Sequence, residues 1–124
     1  QDSKEGVCVQ YYPNQKSFVE TPYLQDKREG TEKTYHLNGE LAKSVEYRND
    51  LMNGLYQEWN EAGILVFEAE YQEDKRHGKF NKFYDDGSPY ISQTFLEDEL
   101  HGVKKKYDKE GKVVESFYER GKEV

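Results

Sequence analysis

The sequence predicts an all-β fold, an elongated single antiparallel meander of about five β-hairpin repeats with little or no helix. The first observation is a period, because five glycines stand 24 residues apart: Gly6, Gly30, Gly54, Gly78 and Gly102. The second is the frequency of glycine, which costs about 1 kcal/mol relative to alanine inside a helix and interrupts every candidate helix here. The third is the length of 124 residues, which suits one domain.

One period shows how the hairpin is expected to form. Residues 55–59 and 64–71 are rich in β-branched and aromatic side chains, which favour strands. Residues 60–63 read Asn-Glu-Ala-Gly, which suits a type I turn ending in a glycine at positive φ. This is the pattern of a three-residue hairpin loop. Residues 73–74, Glu-Asp, are expected to form a second tight turn that leads into the next period.

The period divides the chain into a polar N-terminal stub, residues 1–5, and one domain of five tandem units. The predicted units are 6–29, 30–53, 54–77, 78–101 and 102–124, and the last is one residue shorter than the others. Each unit contributes two antiparallel strands, so about ten short strands are expected.

Two aromatic columns keep the same period and are expected to form the core. With Gly30, Gly54, Gly78 and Gly102, the structural repeat positions are Tyr35, Trp59, Phe83 and Tyr107 in one column and Tyr47, Tyr71 and Phe95 in the other. If both columns share a face, their rings form a ladder of cross-strand contacts. A one-residue bulge would move a whole column to the opposite face, and the sequence leaves these alternatives open.

The spacing of these columns resembles a known family. Glycine, four residues, an aromatic, three residues and a second glycine, followed by a tyrosine and a tight turn, resemble the MORN repeat (membrane occupation and recognition nexus), in particular its bacterial variant, which includes YwqK-like antitoxin proteins. The chain departs from that pattern where aspartate replaces the linker glycine in four units and where Gln15 replaces a turn glycine. The resemblance implies a non-enzymatic module that binds a protein partner through an elongated β-surface. An antitoxin-like role would be a special case, in which an acidic surface blocks a basic toxin.

No catalytic residue, cofactor or metal site is predicted. The sequence has no nucleophile elbow, phosphate loop, His-Glu-x-x-His motif or EF-hand loop. His77 and His101 share a column, but at roughly 10 Å apart they are too distant to bind one ion. Cys8, the one cysteine, is expected to be a half-buried strand residue. The periodic aspartates are interpreted as turn formers: Asp26, Asp50, Asp74 and Asp98.

The charge of the chain bears on its partners. A formal net charge of −7 argues against a nucleic-acid partner, because affinity for phosphates comes from clustered Lys and Arg. The last unit is the basic one, which makes binding to a membrane surface of anionic lipid an alternative. Its candidate lipid contacts are Lys104, Lys105, Lys106 and Lys112. The sequence begins at Gln1 without an initiator Met, which slightly favours a processed, exported chain of the periplasm or cell envelope over a cytoplasmic one.

Aromatic residues outside the repeating columns are the candidates for binding, because the architecture does not require them. The candidate partner-binding surface consists of Tyr12, Phe18, Tyr56, Phe80, Tyr84 and Tyr90. The expected partner is an unidentified protein, with carbohydrate or cell-wall binding by the same aromatics as an alternative. An open sheet edge at the C-terminal strand also predicts pairing with a second copy of the chain as a homodimer.

Overall fold

The fold consists of β-strands joined by tight turns. The computed structural model describes residues 4–14 and 16–124, and within them it contains no helix. The strands are β1 (Gly6–Tyr11), β2 (Ser17–Leu24), β3 (Lys27–Arg28), β4 (Gly30–Tyr35), β5 (Leu41–Arg48), β6 (Leu51–Trp59), β7 (Leu65–Gln72), β8 (Lys75–Phe83), β9 (Pro89–Leu96), β10 (Glu99–Leu100), β11 (Gly102–Tyr107), β12 (Val113–Glu119) and β13 (Lys122–Glu123). The prediction of an all-β meander is confirmed.

All of these strands belong to one antiparallel sheet, and each pairs with strands next to it in the chain. Three two-residue strands, β3, β10 and β13, explain why there are thirteen strands rather than about ten. β3 and β4 both pair with β2 and are separated by Glu29 alone, while β10 and β11 both pair with β9 and are separated by His101 alone. Each pair is one interrupted strand. The remaining addition is β13, a two-residue return along β12.

The hairpin loop within a unit has the conformation that the sequence predicts. The backbone N–H of Gly63 donates to the carbonyl of Asn60 at 3.0 Å, which closes a type I turn. The N–H of Asn60 donates to the carbonyl of Ile64 at 2.9 Å, and Gly63 has φ of +85°. The side chain of Asn60 also accepts from the N–H groups of Ala62 and Ile64. The result is the three-residue loop with a terminal glycine.

The turn between units is of a different type. Asn49 and Asp50 have φ of 53° and 71°, so both central residues of this two-residue loop are left-handed. The strands on either side remain paired up to Arg48 and Leu51. This is the signature of a type I′ turn, whose twist matches that of the flanking strands. The equivalent positions in the other units also have positive φ.

A β-bulge explains why the last unit is one residue short. In the third unit Glu58 pairs with Phe67 and Trp59 pairs with Leu65, so that Val66 is an extra residue. The same shift leaves one extra residue in each of the first four units: Phe18, Ala42, Val66 and Tyr90. In the fifth unit Lys106 pairs with Val114 and Tyr107 with Val113, without a shift. The residue missing from that unit is therefore the bulge residue.

The register assigns the side chains to two faces. We call the front face the one that carries Tyr56, which pairs with Ala69, which in turn pairs with Phe80. The back face carries the intervening residues, such as Gln57 and its partner Glu68. Along the middle of the sheet the back face is polar, with the continuous pairing Glu20, Lys33, Ser44, Gln57, Glu68, Asn81, Ser92, Lys105 and Glu115.

The two aromatic columns lie on opposite faces. The Tyr71 column lies on the front face, since Tyr71 alternates with Ala69 along β7. Tyr35 lies on the back face, where its hydroxyl donates to a carboxylate oxygen of Glu20 at 3.1 Å. The sequence left open whether both columns share one face. They do not, so their rings form no single ladder and the two columns pack separately.

The sheet is a single layer, so its core is thin. Within the described residues, only four side chains are buried: Thr21, Val45, Ala69 and Phe95. All four lie on the front face, three of them near the middle of a strand and Phe95 near the end of β9. Most aromatic side chains of the two columns are half-buried rather than enclosed. The expectation for Cys8 is wrong, because this side chain is exposed on the edge strand β1.

Candidate interaction surface

Five aromatic rings form a connected cluster on the front face, which we call the front-face cluster: Tyr56, Phe67, Tyr71, Phe80 and Phe95. Phe67 lies between Tyr56 and Phe80, with ring centroids 5.5 and 5.0 Å away. Phe80 continues to Phe95 at 5.0 Å, and Tyr71 joins Tyr56 at 6.0 Å. The closest pairs meet edge to face, the favourable geometry for aromatic rings. The cluster spans strands β6 to β9.

Two of the periodic glycines leave room for glutamate side chains. A Cβ on Gly54 would lie 3.0 Å from Cδ of Glu46, and a Cβ on Gly78 would lie 3.1 Å from Cδ of Glu70. Each glutamate accepts a hydrogen bond from the N–H of the residue that follows the glycine. The absence of a side chain at the glycine therefore allows the carboxylate to reach the backbone.

Arginines extend the front face beyond the rings. The guanidinium carbon of Arg28 lies 4.2 Å from the centroid of Tyr47, and that of Arg76 lies 4.2 Å from the centroid of Phe95. At these distances the cation is attracted by the ring face. Each arginine also forms an ion pair with an aspartate. In the first of these pairs, Nε of Arg28 lies 2.8 Å from Oδ1 of Asp50. The geometry fixes the orientation of a long side chain on an open surface.

The periodic aspartates join each unit to the one before it. The N–H of Arg28 donates to Oδ1 of Asp50 at 3.0 Å, and the N–H of Asp50 donates to the carbonyl of Arg28 at 2.9 Å. Asp98 makes the same pair of bonds with Arg76. The sequence predicted turn formation, which the positive φ values bear out, but it gave no signal for this second role.

Hydrogen bonds and burial shift the pKa values of several side chains on this surface. The side chain of Arg28, followed by its N–H, lowers the pKa of Asp50, and the N–H and side chain of Arg76 lower the pKa of Asp98. Burial, followed by a hydrogen bond to Glu58, strongly raises the pKa of Tyr56. Its hydroxyl donates to Oε1 of Glu58 at 2.9 Å. The tyrosine is therefore a neutral donor at physiological pH.

The six predicted binding aromatics lie in three places rather than in one patch. Tyr56 and Phe80 are in the centre of the front-face cluster. Tyr12 and Phe18 form a pair at 4.7 Å in the first unit, and Tyr84 and Tyr90 form a pair at 4.9 Å in the fourth. The hydroxyl groups of Tyr12 and Tyr84 donate to the carbonyls of residues 35 and 107 in the following units. These two tyrosines thus also connect units.

The second tyrosine pair borders a shallow concavity of about 370 Å³, lined in part by Tyr84, Tyr90, Lys106, Lys112 and Val114. The amino group of Lys106 lies 5.9 Å from the ring centroid of Tyr90. Lys106 pairs with Ile91, which lies on the same face of β9 as Gln93. Gln93 is the partner of Phe80, so this concavity opens on the front face. It combines an apolar floor with two cations and with one carboxylate, that of Asp108.

The predicted lipid contacts are divided between the two faces. Lys104 and Lys106 lie on the front face, whereas Lys105 lies between them on the back face. Lys105 is 4.0 Å from Oε1 of Glu115. Lys112 follows the last hairpin loop and lines the concavity with Lys106. The run of three lysines is therefore not one basic patch.

In the described part of the chain, no group of three or more His, Cys, Asp or Glu side chains is placed to hold a metal ion. No helix there is long and apolar enough to cross a membrane.

Comparison with known proteins gives one family. The family model described as MORN repeat variant matches residues 28–49 and 52–73. These segments include β4, β5, β7 and all of β6 except Leu51, and they contain Tyr35, Tyr47, Trp59 and Tyr71. No curated protein matches the chain.

Proposed function

Because the chain is a MORN repeat protein, we propose that it is a non-enzymatic module that binds a protein partner through its front face. MORN repeats are generally modules for interaction with proteins or membranes and are typically non-enzymatic. The proposal goes further in choosing a protein as the partner and the front face as the surface. Both choices rest on the arrangement of the front-face side chains.

The single observation that carries the proposal is an aromatic cluster on an uncovered sheet. In the described part of the chain no second layer packs on the front face, so four of the five rings remain half-buried and only Phe95 is buried. Tyrosine and arginine are enriched at the energetic centres of protein interfaces, and Arg76 stacks on Phe95 of the front-face cluster. The rings are also locked against each other, which lowers the entropy lost on binding.

The alternatives use different side chains. Lipid binding would depend on Lys104, Lys106 and Lys112, because Lys105 lies on the other face. Carbohydrate binding would use the ring faces of the tyrosine pairs. An antitoxin-like contact with a basic toxin would favour the back face, where Glu68 and Glu115 lie. The front-face cluster favours the protein partner over these.

Two neighbouring residues of β9 allow a matched test of the front face. Gln93 lies on the front face opposite Phe80, and Ser92 lies on the back face opposite Asn81. Each is replaced by cysteine in a Cys8→Ser background, since Cys8 is exposed and would otherwise react. Both variants are coupled to the same bulky maleimide and used to capture proteins from an extract of the source organism.

We expect the label at position 93 to abolish capture of a partner that the unlabelled variants retain. The label at position 92 should leave capture unchanged, because it lies on the other side of the same strand. Circular dichroism shows whether both labelled chains keep the sheet. Capture that is blocked only by the label at position 92, or by neither label, contradicts the proposal.

A further inference from the structure

We propose that the front face over strands β8, β9 and β11 binds an extended acidic segment of the partner protein. This inference rests on the proposed function, because it names the chemistry of the partner for the same surface. It is based on how charge is divided between the two faces, on three unpaired lysines and on the apolar residues between them.

Charge is divided unevenly between the faces over strands β7 to β12. The front-facing charged side chains there are all basic: Arg76, Lys82, Lys104 and Lys106. The strand carboxylates of the same region all lie on the back face: Glu68, Glu70, Glu99, Glu115 and Glu119. A chain with a formal net charge of −7 therefore presents a basic surface beside its aromatic cluster.

Three of these cations have no internal carboxylate partner in the described chain. Its ion pairs within 4.0 Å involve Arg28, Lys75, Arg76 and Lys105, but not Lys82, Lys104 or Lys106. Lys82 and Lys106 are also exposed. Their charges are therefore available to a partner without breaking an existing pair.

The front-face carboxylates nearest the cluster are already engaged. Glu58 accepts a hydrogen bond from the hydroxyl of Tyr56 at 2.9 Å, and Glu32 accepts one from the hydroxyl of Thr21 at 2.7 Å. Both lie on strands N-terminal to β7.

On the basic surface itself, Arg76 is paired with Asp98 at 3.0 Å. Asp108 lines the concavity with Lys106 without forming an ion pair with it. The three lysines are therefore the cations of this surface that have no carboxylate partner in the described chain.

The three lysines surround an apolar floor. Lys82 and Lys106 both pair with Ile91, one on each side of β9, so their backbones are roughly 10 Å apart. Lys104 and Lys106 alternate on one strand and are about 7 Å apart, the spacing of alternate residues in an extended chain. Phe80 lies one strand beyond Gln93, between the lysines and the rest of the cluster. An extended segment that carries both carboxylates and apolar side chains fits this arrangement.

A labelled peptide tests the inference on the full chain. The probe is a fluorescein-labelled peptide rich in glutamate and phenylalanine, and its binding is followed by fluorescence anisotropy. Two matched peptides carry glutamine or lysine in place of every glutamate. We expect binding of the glutamate peptide alone, weakened by salt because exposed charges are screened.

Two triple variants with the same change in net charge separate the faces. K82Q/K104Q/K106Q removes the front-face cations, and K33Q/K79Q/K105Q removes three lysines of the back face. We expect roughly tenfold weaker binding for the first triple variant and unchanged binding for the second. Thermal unfolding confirms that both triple variants remain folded.

The outcomes distinguish this inference from the proposed function. Equal binding of the glutamine or lysine peptide, or equal loss in both triple variants, overturns the inference. Binding of phosphatidylserine vesicles that depends on the front-face lysines, without peptide binding, also overturns it and identifies lipid as the anion. If the label at position 93 still blocks partner capture in that case, the front face remains an interaction surface and only the acidic chemistry is wrong.

Discussion

Asp50 shows how one side chain can perform two tasks in a repeated sheet. Its φ of 71° places it in the type I′ turn, and its carboxylate accepts from the N–H and the guanidinium of Arg28 in the preceding unit. Aspartate tolerates the left-handed conformation better than most residues and also supplies the acceptor. A linker glycine would provide the conformation without the bond to the previous unit.

These aspartates predict a loss of stability in acid. The pKa of Asp50 and of Asp98 is lowered from the ordinary value of 3.8, so the folded state favours their ionised forms. Their contribution is present above that value and is lost as the pH falls through the lower, folded pKa. We expect the unfolding temperature to drop in this acidic range, and to drop less in D50N/D98N.

The control for this prediction is E61Q/E110Q, which removes the same charge from two exposed hairpin turns. It should lose as much stability in acid as the unmodified chain. Unfolding is followed by circular dichroism at low salt, since both aspartates are exposed and salt screens their interactions. An identical acid response in D50N/D98N and the unmodified chain contradicts this role.

Gly54 is constrained in two ways, which predicts a strong effect of substitution. Its φ is +119°, and an added Cβ would lie 3.0 Å from Cδ of Glu46, whose carboxylate accepts from the N–H of Leu55. Gly63 has φ of +85° and open space around it. We expect Gly54→Ala to destabilise the fold by about 1–3 kcal/mol, and Gly63→Ala by less. Urea denaturation measures both, and an equal cost would mean that contact with Glu46 is unimportant.

Among the structural elements, the β-bulge determines which side chains meet. The extra residue of the second unit is Ala42, between Leu41 and Lys43, the register partners of Tyr35 and Thr34. The fifth unit shows that the same hairpin closes without that residue. The bulge is therefore confined to the end of the hairpin near the loop, and the register of the rest of the hairpin does not depend on it.

Deletions test this independence. Removal of Ala42 should leave a folded chain in which the second hairpin has the regular register of the fifth. Removal of Gln57 should cause far greater loss of stability, because β6 has no extra residue near Trp59 and Glu58 would change faces. Thermal unfolding and the cross-strand contact of Val45 with Tyr56, observed by NMR, provide the measurement. A Gln57 deletion as stable as the Ala42 deletion would show that the register is not fixed in this way.

The success of sequence-based prediction differed between these elements for physical reasons. The loop at residues 60–63 could be predicted, because an asparagine followed three residues later by a glycine is typical of a type I turn. The bulge could not, since Val66 and Ala42 look like ordinary strand residues. The assignment of faces depended on the bulge, so the separation of Tyr35 from Tyr71 could not be predicted either. The front-face cluster contains Tyr56 and Phe80, which were singled out, but its link through Phe67 was not foreseen.

The assembled sheet has only one layer, so side chains along its edges are poorly covered. Val114 and Phe117 on β12 are 70% and 53% exposed, and β12 pairs on its outer side with β13 only at Tyr118 and Glu119. Pairing of this edge with a second copy stays a prediction. We expect light scattering to show a concentration-dependent dimer that V114K weakens. A monomer at high concentration contradicts it.

The whole sheet presents its aromatic cluster and its unpaired lysines on the front face. Side-chain NMR of the isotope-labelled chain with its captured partner tests whether the partner binds this face. Val45, Ala69 and Ile91 report on the front face, and Leu55 and Val103 report on the back face. If the partner binds the front face, the methyl signals of the first group shift or broaden while those of the second are unchanged. Changes confined to Leu55 and Val103 would contradict the front face as the interaction surface.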